Sequence, residues 1–330
     1  MKQISPTNEM VLKQKAVDRT FRKESFEVIE QYYEQADGQI FTTTAQDELT
    51  ERQVHNLYRS KHHIPFPEEI KTIRLQYGLS AAKMSEVLDF GANSYRNYEG
   101  GEIPSLANAK LIRLAANPRN FLGFVEEKEE IFSTNGYKKV MDHIQKLMPT
   151  NKLNRLVEYI WNYHMNPNEF TGFVKPAFEK VANFVLFFAE KAKPRKTRLN
   201  KLLFYADFLH FKQTGFAISG CNYRAIPFGP VPSHFHELFG ILETEKFIRI
   251  EQELFEHGGI GERFLAEKPF DPNLFSESEL ESMQEVLEKL NSMETKEIID
   301  LSHEENGWKE NQETRELISY QTHAFELKGV

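Results

Sequence analysis

A chain of 330 residues with 40% hydrophobic content can bury a substantial core and has the length of two or three domains. Its longest apolar run, VANFVLFFA at 181–189, is about half of the roughly 20 residues that a membrane-spanning helix needs, and no basic-then-apolar leader opens the chain. A cytoplasmic protein without membrane contact is therefore expected, and the single cysteine, Cys221, excludes an intramolecular disulfide or a zinc site built on several thiolates.

The first predicted elements lie in residues 20–44, where TFRKESFEVIEQYYEQ, the turn signal ADG and then QIFTTT alternate in the manner of strands. This pattern predicts a twisted hairpin or three-stranded ribbon packed through Phe21, Phe26, Tyr32, Tyr33 and Phe41, with contact to a partner protein or RNA as the alternative use of those aromatics. A polar helix-like stretch, TAQDELTERQVHNLYRSKHH, completes a segment 1–64. Pro67 ahead of Glu68 and Glu69 then marks a helix start with acids on its dipole.

Between 68 and 117 the order is helix, GLS, helix, DFG, helix, EGGEIPS, helix. Gly78 and Gly91 are the expected turn residues, with Ser80 and Ser105 as N-caps. Ile70, Ile73, Leu79, Met84, Val87, Leu88, Tyr95, Leu111 and Leu114 form the expected core of a domain over 65–120. Residues 121–150, with EEKEE and STNG, read as a connector.

A mostly helical domain over 151–330 follows. Leu153, Leu156, Val157, Ile160 and Trp161 have helical spacing, as do Val181, Phe184, Val185 and Phe188, and then Leu199, Leu202, Leu203, Ala206 and Leu209. KFIRIEQELFEHGGIGERFLAE predicts a hairpin around Gly258 and Gly259, and Ser276 with Glu279 forms a capping box ahead of a helix buried through Leu280, Met283, Val286, Leu287 and Leu290. The fold class is thus mainly α with small β elements.

The phrase IRLQYGLSAAKMSEVLDFGANSYRNYEGG resembles the Xre-type helix-turn-helix family over about fifty residues, a resemblance that implies a third helix seated in the major groove. Asn93, Ser94, Arg96 and Asn97 stand at the start of that helix with the donor and acceptor geometry for base edges. Ser80 and Lys83 are placed for phosphates. Ala81 departs from the family, which usually carries a DNA-contacting Gln there. Glu99 is expected to lock onto Arg74, since the family uses this aromatic-acid pair to hold its third helix to the first.

Over 1–120 the order of ribbon and bundle resembles the motility-quorum-sensing antitoxin and its relatives, whose ribbon holds zinc through two Cys-x-x-Cys pairs. QISP near the start and YEQA at 33–36 are the matching positions and contain no thiolate, so no metal is expected.

Residues 195–240 and the later LSHEENGWKE resemble the Panacea domain of antitoxins, over about 150–325. The residues that carry this are Lys201, Leu202, Tyr205 and Ala206, then Gly229 and Pro230, then His303 and Trp308. Membership implies neutralisation of a cognate toxin by direct protein contact, with repression of the shared operon by the helix-turn-helix. The partners expected are therefore the toxin and operator DNA, in a homodimer or a toxin–antitoxin hetero-oligomer. Trp308 is expected in the core, with an interface position as the alternative.

Charge is unevenly spread: +2 over 61–120, +6 over 151–220 and −13 over 221–330. The acidity of the last third repels DNA and suits either a basic protein partner or plain solubility. No cofactor and no catalytic residue are assigned. His234, His236 and Glu237, with Cys221, are the residues from which a metal site or a Cys–His hydrolase would be built. On a helix begun after Pro232, however, the two histidines point about 200° apart. A transcriptional regulator or a proteolytic adaptor acting on another client is the remaining alternative.

Overall fold

Ser276, Ser80 and Ser105 each cap the helix that follows, accepting a hydrogen bond from the backbone N–H three residues on. Such local signals recur through a computed structural model that describes residues 10–147, 167–254 and 259–330 and is mainly helical with small antiparallel β elements. The chain divides into two compact units, Met1–Val54 with Val157–Val330, and His55–Leu156. Among the described residues no helix is long and apolar enough to cross a membrane. The expected helix through Leu153 and Trp161 lies outside the described residues, as do QISP and Gly258.

The discontinuous unit begins with a ribbon in which β1 (Val11–Phe21) pairs with β2 (Glu24–Glu34), and β2 with the short β3 (Ile40–Phe41). The ribbon is as expected, but its first strand starts earlier and its first turn is unannounced. Arg22 and Lys23 take the left-handed conformation, φ 47° and 70°, in a two-residue turn that ordinarily recruits Asn or Gly. Of the expected aromatic core Phe26 and Tyr33 are buried, joined by Val28, whereas Phe41 is exposed.

Gln53, in α1 (Thr44–His62), completes the outer edge of β2 as another strand would: Ile29 N–H donates to its side-chain oxygen at 2.9 Å, and its amide donates to Ile29 O at 2.8 Å. The same oxygen accepts from Gln321 Nε2 at 2.9 Å. These bonds attach the ribbon to the C-terminal residues, although sequence order puts it beside the bundle.

The centre of this unit is α9 (Lys196–Thr214), every residue of which from Leu199 to Phe211 is buried, packed with α8 (Phe178–Ala192). A helix buried on all sides belongs in the middle of a domain. Phe204, Phe208 and Phe211 meet Tyr223 and Tyr320, with Phe208 stacked on Tyr320 at 4.2 Å between centroids. Around them lie hairpins β4–β5 (Tyr223–Ile226, Gly229–Pro232) and β6–β7 (Ile248–Leu254, Ile260–Ala266). The helices α10 (Phe235–Thr244), α11 (Glu277–Leu290), α12 (Thr295–His303), α13 (Asn306–Asn311) and α14 (Tyr320–His323) complete it.

The second unit contains α2 (Pro67–Leu75), α3 (Ala81–Val87), α4 (Ser94–Glu99), α5 (Leu106–Ala115), α6 (Pro118–Glu126) and α7 (Thr134–Leu147). Ile70, Ile73, Met84, Val87, Leu88 and Tyr95 are in its core as expected. On α5, however, Ile112 and Ala115 face inward while Leu114 is 38% exposed. The run LANAKLIRLA carries apolar residues on two adjacent stripes, so spacing alone does not choose between them. The segment read as a connector is helical and contributes Phe121, Val125, Val140 and Ile144 to the same core, with Phe121 stacked on Tyr77 at 3.9 Å.

Candidate functional site

Within the second unit, Tyr95 is the pivot that sets α4. Its hydroxyl donates to Ile70 O at 2.8 Å and its backbone N–H donates to Ser85 Oγ at 3.1 Å, joining α4 to α2 and α3. Arg74 grips Glu99, as expected, and its Nη1 donates to Leu79 O at 2.7 Å. With one side of α4 so held, Asn93, Arg96 and Asn97 are exposed and Ser94 is half-buried.

The turns on either side of α3 differ in kind. Gly78 takes the left-handed conformation, φ 67°, as expected, but at the second turn it is Asp89, φ 55°, and not Gly91 that does so. Aspartate tolerates that region better than most residues, and Lys128 holds its carboxylate at 2.6 Å. Ser80, expected at phosphates, is an exposed N-cap whose oxygen accepts from Lys83 N. The Lys83 ammonium is engaged inside the unit, with Glu86 at 2.5 Å and Ile131 O at 2.8 Å.

In the other unit, Lys201, Gly229, Pro230, His303 and Trp308, among the residues quoted from the 195–240 and 301–310 motifs, gather about hairpin β4–β5. Lys201 is 0% exposed, and its Nζ donates to Pro230 O at 2.9 Å. Burial lowers its pKa to about 7. A Cβ on Gly229 would lie 2.3 Å from Ser302 Oγ and 2.7 Å from Lys201 Nζ, so only glycine lets β5 approach α9 and α12 this closely. Trp308 is 9% exposed, in the core as expected, and donates through Nε1 to Ile226 O at 2.7 Å. His303 stacks on Trp308 at 3.9 Å between ring centroids. Tyr205 is buried, its ring lying where a Cβ on Gly329 would stand.

Two residues beyond, Asp207 is buried and accepts four hydrogen bonds, from Ile218 N and Ser219 N at 2.8 Å, Ser219 Oγ at 2.5 Å and Tyr223 Oη at 2.8 Å. Burial raises its pKa to about 6 against the pull of those donors. Neither Asp207 nor Ser302 is anticipated above, yet one signal was available: an acid inside FYADFLHF must be paired once that helix is central.

The residues considered for catalysis are not combined. Burial pushes the Cys221 thiol up to about 12, which keeps it protonated and poorly nucleophilic. His234 sits in a left-handed turn ahead of α10, exposed like His236 and 3.8 Å from Glu237. Among the described residues no three His, Cys, Asp or Glu side chains are grouped to hold a metal ion.

Residues 199–309 match the family model described as Antitoxin SocA-like, Panacea domain. The matched segment, less than half of the chain, contains Lys201, Tyr205, Gly229, Pro230, His303 and Trp308. No curated protein and no solved structure matches the chain.

Proposed function

We propose that the chain is an antitoxin that neutralises a cognate toxin by direct contact through the unit built around α9, and that it represses its own operon as a dimer whose α4 enters the major groove. The observation that carries the first half is the family match. The second half is supported by α4, which presents Asn93, Arg96 and Asn97 to solvent on a helix fixed by Tyr95 and Arg74. Occupation of a surface is the mechanism, with no chemistry, so operator DNA and the toxin are the partners.

Growth rescue and a gel shift test the two halves separately. In the full-length chain, replacing Arg96 and Asn97 by alanine is expected to abolish retention of DNA from upstream of the gene while protection from the adjacent gene product persists. Unchanged retention removes the DNA reading, and absence of protection by the unaltered chain removes the antitoxin reading. The full chain is the right vehicle because a 151–330 fragment would lose the Gln53–Gln321 bond and the ribbon that completes its unit.

A further inference from the structure

Hairpin β4–β5 is closed by two residues, Pro227 and Phe228, and is clamped at every position beside them. Ile226 O accepts from Trp308, Gly229 is wedged between Ser302 and Lys201, and Pro230 O accepts from Lys201. The clamp is costly, since Lys201 is withdrawn from water opposite a neutral carbonyl. At the tip so fixed, Phe228 is 65% exposed, the most exposed aromatic side chain among the described residues. A rigid, solvent-facing aromatic loses little entropy when it enters a pocket, and aromatics are enriched at interface cores.

We infer that Phe228 is the anchor by which this chain holds its protein partner, inserting into an apolar pocket with a basic rim; this rests on the antitoxin reading proposed above. The basic rim follows from charge. Residues 221–330 carry a net −13. The buried motif residues thereby gain a role: they make no contact with the partner but hold the tip that does.

The test uses the full-length chain and the purified product of the adjacent reading frame, with affinity measured by calorimetry. Phe228→Ala is expected to weaken binding by at least about tenfold with an unchanged melting temperature, while Phe41→Ala, at another exposed aromatic, changes neither. Raising the salt concentration is expected to weaken wild-type binding. Phe228→Ala that binds as tightly as wild type overturns the anchor and leaves the antitoxin reading intact. Failure of the wild-type chain to bind removes both. Sedimentation that finds a wild-type dimer and a Phe228→Ala monomer gives Phe228 to a self-interface and overturns the inference as stated.

Discussion

Arg74 donates through Nε and Nη2 to the two carboxylate oxygens of Glu99, at 2.6 and 3.0 Å, so that α2 holds the last turn of α4. Both side chains are 14% exposed, and a bidentate, charge-assisted pair shielded to that degree is stronger than an open ion pair. Arg74→Ala and Glu99→Ala are each expected to lower the unfolding free energy by about 2 kcal/mol. In urea titrations the double variant should lose much less than the sum, and Arg74→Lys should not restore the lost stability. Additive losses would mean that the two residues act separately.

Lys201 gives the chain a stability that depends on pH. Its folded pKa of about 7 lies below the ordinary 10.5, so between those values the unfolded chain holds a proton that the folded chain lacks. Stability from this residue therefore rises with pH across that window and is flat below about 7. Lys201→Met removes the titration, and the difference in melting temperature between wild type and variant should move in favour of wild type from pH 7 to pH 9. A constant difference would place the folded Lys201 pKa above 9.

Asp207 joins α9 to the loop at 218–219 and to β4 through four donors. Asp207→Ala leaves those donors buried and unpaired, and a loss of about 3 kcal/mol or more is expected in chemical denaturation. Tyr223→Phe removes one donor only and should cost about 1 kcal/mol.

Cys221 should behave as an inert core residue. At pH 8 the native chain is expected to react with a thiol reagent at least ~100-fold more slowly than the denatured chain. If the proposed antitoxin function holds, Cys221→Ser should still protect cells from the adjacent gene product. Rapid native labelling, or loss of protection by a folded Cys221→Ser variant, would reopen the hydrolase reading.

Elements whose signals are local were legible in the sequence. Ser80, Ser105 and Ser276 announce helix starts because a hydroxyl three residues before a free N–H caps it wherever the helix ends up. The Arg74–Glu99 pair was legible through a family pattern, and the burial of Trp308 through the rarity of exposed tryptophan. Turns closed by unusual residues were not. Arg22–Lys23 and Asp89 adopt left-handed backbone without the glycine that signals it, because neighbouring strands and Lys128 hold them there.

By itself the sequence determined the mainly helical class, the caps, the buried stripes of α8 and α9, and the identity of the motif residues. Tertiary structure decided where each of those pieces belongs. It gave the ribbon to the C-terminal residues through Gln53, gave 121–147 to the bundle core, and turned Lys201, Gly229, His303 and Trp308 into supports for a hairpin whose tip is Phe228. The reason is one of range. A cap or a helical stripe is satisfied within a few residues, whereas a buried amine and a carbonyl 29 residues apart become partners only when packing has brought α9 and β5 into contact.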